Sequence, residues 1–351
     1  MRALHFAVPG DLETLTGGYL YDRRIVAELR AAGWSVTVLP LDPSFPHPDA
    51  AAREHARCAL AAIPDGATLV LDGLALGALP ELAAEQARRL NLVALVHHPL
   101  AEETGLDAAT AARLRESERR ALAAAGRVIA TSAATARALA HGYGVAASRI
   151  AVVEPGTDPA PLARGSGGGG LSLLCVATLT PRKGHAVLFE ALARVAERRW
   201  RLVCAGSAER DPATAAALTA QLTRLGIARR VELAGELAPG ALDVLYNRAD
   251  AFVLASYHEG YGMALAEALA RALPVVSTTA GAIPDTVPAG AGLLVPPGDT
   301  VALAAALARL LDDDSLRTRL AAGARAARDR LPTWSAAAAG FAAALAEEVA
   351  A

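Results

Sequence analysis

Short apolar runs rich in valine, leucine and isoleucine alternate with alanine-rich helical segments along almost the whole of this 351-residue chain, and they do so in two successive halves. Residues 3–8, 35–39, 68–72, 92–97, 127–131 and 150–153 read as strands, with helices at 19–32, 79–90, 108–125 and 133–143. Strands that are apolar on both faces and separated by helices require a parallel sheet covered on both sides. The pattern resumes with strands at 171–177, 201–205, 231–234, 251–254, 275–278 and 293–295, and helices that include 185–196, 212–225 and 300–311. Between the halves lies a proline- and glycine-rich stretch ending in Gly167–Gly170, which reads as a flexible linker. The expected organisation is an α/β domain over residues 1–163, a linker over 164–170, a second α/β domain over 171–332, and a closing helical segment over 333–351.

Composition narrows the function classes. With 53% hydrophobic residues the chain can bury two cores, and much of that fraction is alanine, which favours helices rather than lipid. No run of eighteen apolar residues lacks charges, and the first residues do not have the form of a signal peptide, so a soluble, cytoplasmic protein is expected, with membrane association disfavoured. A net charge of −2 gives no general attraction to nucleic acid. Arg113, Arg115, Arg119 and Arg120 are interspersed with Glu116 and Glu118, the pattern of a solvated, salt-bridged helix face rather than an anion-binding patch. The three cysteines, Cys58, Cys175 and Cys204, are isolated in sequence and read as buried free thiols, not as disulfides or a metal site. The spacing of Asp312 and Asp314 matches a metal-binding pair, but these acids fall between two helices, where capping is the expected role. No metal and no cofactor are expected. The absence of G-x-G-x-x-G after the first strand also disfavours a dinucleotide-dependent dehydrogenase.

Chemistry concentrates where strands end. Ser256-Tyr-His-Glu-Gly-Tyr-Gly-Met263 reads as a strand-to-helix turn, with Glu259 in the loop and Glu267 one helical turn beyond Met263, on the same face. Gly260 and Gly262 allow the backbone close to a ligand, and the free N–H groups of a first helical turn favour an anion. Carboxylates beside an anion are better used to accept hydrogen bonds from hydroxyls, so the stretch asks for a ligand that is part anion and part polyol. An ordinary turn with solvated glutamates satisfies the local physics equally well. Thr178-Leu-Thr-Pro-Arg182-Lys183-Gly184 places two cations between a strand and a helix N-terminus, suited to a diphosphate. In the first half, Gly17 and Gly18 open a helix after the first strand, either as a ligand-approaching loop or as a surface turn. His97 and His98 end the fourth strand, where open α/β sheets place their ligands. Glu102, Glu103 and Thr104 follow as candidate acceptor contacts.

Glu259-Gly-Tyr-Gly-Met-Ala-Leu-Ala-Glu267, followed by Pro274-Val-Val, resembles the E-x7-E signature of retaining glycosyltransferases of family four. The resemblance implies a GT-B architecture, two Rossmann-like domains facing across a cleft, and transfer of a sugar from a nucleotide diphosphate sugar to an acceptor with retention. In its terms His97 meets the transferred sugar, Glu259 holds its hydroxyls, and Lys183 with Arg182 neutralises the diphosphate. Glu267 takes the ribose, Gly17 and Gly18 close over the donor, and Gly260, Tyr261, Gly262 and Met263 complete the donor site. The family often carries Gly-Arg where this chain has Ala177-Thr178, which removes the usual second cation and leaves Arg182 as a substitute. Two rivals share the fold: a nucleotide-sugar epimerase, and a nucleotide-sugar-binding protein without turnover.

Overall fold

The computed structural model describes residues 2–346. Among the described residues it contains two compact units, one formed by residues 2–156 together with 332–346 and the other by residues 157–331. In the first unit the chain runs β1 (Ala3–Pro9), α1 (Gly17–Ala31), β2 (Ser35–Leu41), α2 (Ala50–Ala61), β3 (Thr68–Asp72), α3 (Gly73–Leu76), α4 (Pro80–Gln86), β4 (Asn91–Val96), α5 (Ala108–Ala124), β5 (Arg127–Ala130), α6 (Ala133–Gly142) and β6 (Ile150–Val152). All neighbouring strands are parallel, in the order β2-β1-β3-β4-β5-β6. The direction of winding therefore reverses between β1 and β3, and the loops leaving those strands flank the crevice where such sheets bind ligands.

The second unit runs β7 (Leu171–Val176), α7 (His185–Ala193), β8 (Trp200–Ala205), α8 (Pro212–Arg224), β9 (Val231–Gly235), α9 (Pro239–Arg248), β10 (Ala251–Val253), α10 (Met263–Ala270), β11 (Val275–Thr278), α11 (Ile283–Thr286), β12 (Gly292–Val295), α12 (Thr300–Asp312) and α13 (Asp314–Arg328). Its parallel sheet has the order β12-β11-β10-β7-β8-β9, so winding reverses between β7 and β10. The last helix, α14 (Trp334–Ala346), belongs to the first unit, where Phe341 stacks on Phe6 and Trp334 lies against Tyr21. The expected extension of this helix beyond residue 346 lies outside the described residues.

Caps chosen by the sequence start several of the connecting helices. Asp49, Asp107, Ser132, Asp211, Asp299 and Asp313 each accept a backbone N–H from the first turn of α2, α5, α6, α8, α12 and α13 respectively. The Asp313 cap is the role expected for the acidic cluster at 312–314, while Asp312 pairs with Arg198. The proline- and glycine-rich stretch is less free than its composition suggests. The Asp250 carboxylate accepts the N–H groups of Ser166 and Ser172, and the Arg164 N–H reaches the Asn247 carbonyl, which ties the segment to the second unit.

Two expectations need correction. Glu118 does not lie on a solvated face: it shares the buried side of α5 with Leu114, Ala121 and Leu122, because its Oε2 accepts the Leu100 N–H at 2.9 Å. Burial, only partly offset by that bond, pushes its carboxyl up to about 8. Cys58 is exposed on α2, whereas Cys175 and Cys204 are buried.

Candidate functional site

The reversal between β7 and β10 brings two loops of the second unit together. Lys183, in the loop after β7, places its Nζ 2.6 Å from Oε1 of Glu259, in the loop after β10. The same Oε1 accepts the Ser256 hydroxyl at 2.6 Å. Arg182 stands 4.0 Å from the other carboxylate oxygen, donates to the His258 carbonyl, and accepts the Tyr257 N–H through its own carbonyl. Lys183 and Glu259 are largely shielded from solvent, with side-chain exposures of 18% and 8%. Burial pushes the Glu259 carboxyl up, but the charges of Lys183 and Arg182 and the bonds from Lys183 and Ser256 more than reverse it, and the group ends below its ordinary range. Burial also draws Lys183 below its ordinary value, against the pull of Glu259. The sequence points to each residue separately; their direct pairing is a product of strand order.

Both helices that rise from these loops begin differently from their neighbours. Gly184 precedes α7 and Gly262 precedes α10, each in the left-handed region (φ 66° and 91°), and neither offers a side-chain cap. A methyl group at Gly184 would collide with the Ala255 carbonyl at the end of β10, so glycine is what lets the lysine loop approach the glutamate loop. The first-turn N–H groups of α10, those of Met263 and Ala264, have no acceptor within the helix and carry the positive end of its dipole. Gly260 and Tyr261 lead into this turn, and the Tyr261 carbonyl is fixed by the Thr286 hydroxyl at 2.6 Å.

Glu267 sits on α10 on the same half-buried side as Met263. Its Oε2 accepts the Tyr246 hydroxyl at 2.9 Å, and Arg271 contacts the Tyr246 ring face. Burial raises the Glu267 carboxyl above its ordinary value despite the Tyr246 bond and the Arg271 charge. Tyr246, absent from the sequence candidates, could be found only through tertiary structure, since it comes from α9.

In the first unit the structure groups His97 with two carboxylates that the sequence reading did not single out. His97 Nε2 lies 3.1 Å from Asp22 Oδ1 on α1 and 3.5 Å from Asp72 Oδ2 at the end of β3. Tyr21 meets the imidazole edge-on, and the backbone of Gly18, beside Gly17 in the first turn of α1, lies against the ring. The hydroxyls of Thr131 and Thr135 donate to the His97 carbonyl. Burial acts to lower the His97 pKa, but the Asp22 charge and hydrogen bond, with Asp72, reverse it and the net shift is upward. Burial and the Asp22 charge push Asp72 up to about 7. The available signal for Asp72 was its position at the carboxyl end of a strand. The candidate acceptor residues form a separate group: His98 Nε2 is 3.7 Å from Glu103, Glu102 is 3.9 Å from Arg115, and the Thr104 N–H donates to Glu103.

Comparison with known proteins places this geometry. The family model described as Glycosyltransferase Family 4 matches residues 72–161, and that described as Glycosyl transferases group 1 matches residues 170–313. The chain belongs to glycosyltransferase family four. Among relatives of this family-four chain, the D-inositol 3-phosphate glycosyltransferase of Corynebacterium efficiens is 33% identical over 200 residues, covering 52% of this chain and 47% of the relative. That of Xylanimonas cellulosilytica is 34% identical over 239 residues, covering 63% and 57%. The family-four chain thus spans about half the length of these curated relatives. Two solved structures share its GT-B fold over 98% or more of their length and 98% of this chain. Sucrose-phosphate synthase from Thermosynechococcus elongatus has a TM-score of 0.82 at 20% identity, and Anabaena HepE in complex with UDP-glucose has 0.77 at 19%. No helix among the described residues is long and apolar enough to cross a membrane.

Proposed function

We propose that this chain is a retaining glycosyltransferase that takes a hexose or related sugar from a nucleoside diphosphate sugar and transfers it to an acceptor. The observation that carries this reading is the Lys183–Glu259 pair, 2.6 Å apart, beside two helices whose N-termini lack side-chain caps. Glycosyl transfer breaks the bond between the anomeric carbon and the diphosphate, and its electron pair goes to the phosphate oxygen. Lys183, Arg182 and the first-turn N–H groups of α10 supply fixed positive charge where that negative charge develops. Glu259, fixed by Lys183 and Ser256, keeps acceptor capacity on Oε2 for a sugar hydroxyl, and Glu267 on α10 takes the ribose.

His97 is assigned to the transferred sugar, with Asp22 and Asp72 fixing its ring and charge. Glu259 and Glu267 are not an acid/base pair, because a diphosphate leaves without a proton from a carboxylic acid. The acceptor oxygen bonds to the anomeric carbon and releases its proton to the departing phosphate oxygen. UDP-sugars are the first donors to test, because HepE is solved with UDP-glucose; a phosphorylated inositol is the first acceptor, because the relatives are named for one.

A panel of UDP-, GDP- and ADP-sugars ranked by thermal shift identifies the donor, and NMR of the product anomer assigns the stereochemistry. Inversion at the anomeric carbon would refute retention. Conversion of the donor to an isomer without acceptor would replace transfer by epimerisation, and failure of every nucleotide to shift the melting temperature would refute the donor site.

A further inference from the structure

We infer that Cys175, Cys204 and His185 form a zinc-binding site in the second unit, independent of the sugar-transfer reading. Cys175 on β7 and Cys204 on β8 are direct partners in the parallel register, so their side chains leave the same face of the sheet. His185, the first residue of α7, packs on that face, with Nε2 3.7 Å from Cys175 Sγ. One ligand atom from each residue lies within 4.8 Å of the other two. On a tetrahedral zinc with bonds of about 2.3 Å to sulfur and about 2.0 Å to nitrogen, a sulfur and a nitrogen stand roughly 3.5 Å apart. The Cys175–His185 separation of 3.7 Å is close to that value.

Charge and hardness select the metal. All three residues are almost fully buried, with exposures of 0%, 1% and 2% for Cys175, Cys204 and His185. A divalent ion with two thiolates and a neutral imidazole makes a centre of zero net charge, which avoids the large cost of burying an unbalanced charge. Two sulfurs and one nitrogen suit zinc and disfavour magnesium or calcium, which take oxygen ligands. Such a centre would tie the N-terminus of α7 to β7 and β8. Because His185 follows Lys183 by two residues, it would also stiffen the loop that carries Lys183. With the ligands buried, zinc enters as the unit folds.

The test uses the full chain produced in zinc-supplemented medium, dialysed, then unfolded in guanidinium with a colorimetric zinc indicator. Wild type and Cys58→Ser are expected to release about one equivalent per chain, and Cys204→Ser less than about a tenth of that. Refolding with cobalt gives an independent reading: wild type should show sulfur-to-cobalt charge-transfer absorption, and His185→Gln, verified as folded by circular dichroism, should lose it. The proposal is overturned if wild type releases no zinc after both growth and refolding in zinc, or if folded Cys204→Ser keeps its full equivalent. Non-reducing mass spectrometry that finds Cys175 joined to Cys204 would also overturn it, in favour of a disulfide.

Discussion

Lys183→Ala tests the pair at the centre of the donor site. Breaking a buried ion pair by removing one partner costs about 3–5 kcal/mol when the remaining charge is left without compensation. Glu259 retains the Ser256 hydroxyl at 2.6 Å and Arg182 at 4.0 Å, and the variant no longer has to desolvate an ammonium, so about 2–3 kcal/mol is expected at pH 7. The sign of the pH dependence follows from Glu259. Its folded pKa lies below the ordinary value, so its contribution is present above about pH 4.3 and is lost as pH falls through the folded value. Without Lys183 burial dominates, the folded pKa rises, and the deficit is large at pH 7 and small near pH 4. Trp200 is the only tryptophan of the second unit and is buried, with Nε1 bonded to the Val195 carbonyl; its fluorescence in a Trp34→Phe, Trp334→Phe background follows that unit through urea unfolding. Adding Glu259→Gln should recover part of the loss, with a coupling of about 1–3 kcal/mol in the double-mutant cycle. In the donor assay, Lys183→Ala should lower turnover about 100–1000-fold. Additive stability losses for the two substitutions, or turnover near wild type, would refute the reasoning.

Three further outcomes are expected. Gly184→Ala imposes both the left-handed backbone and a collision with the Ala255 carbonyl, so a loss on the order of 2–4 kcal/mol is expected in the same urea experiment, and an unchanged midpoint would contradict the close approach. Glu267→Gln removes a carboxyl whose folded pKa is raised, a group whose stabilising contribution is lost as pH rises through that pKa; at pH 8 the variant should be as stable as wild type or more so, while calorimetric titration shows weaker nucleotide binding. Equal nucleotide affinity would remove the ribose assignment. His97 has a raised folded pKa, so its contribution is full below about pH 6.5 and disappears as pH rises through the folded value. Asp22→Asn should lower the His97 pKa measured by NMR, and an unchanged titration would show that Asp22 does not hold the imidazolium.

The sequence by itself determined the class of fold and the positions where chemistry could occur. Strand and helix periods are local properties, and Gly184, Gly262, Lys183, Glu259 and His97 all fall at strand ends or helix starts that can be read from neighbouring residues. Tertiary structure decided which of these residues meet. Lys183 and Glu259 are 76 positions apart, and they pair because β7 and β10 are adjacent in the sheet. Asp22 and Asp72 reach His97 from 75 and 25 residues away, because α1, β3 and β4 converge at one end of the first sheet. Glu118 shows the same division: most of its near neighbours in sequence are charged, and its burial depends on partners such as the Leu100 N–H, presented by the chain after β4. Local periodicity can specify each element, but the partners of a buried charge depend on strand order, which is set by packing over the whole domain.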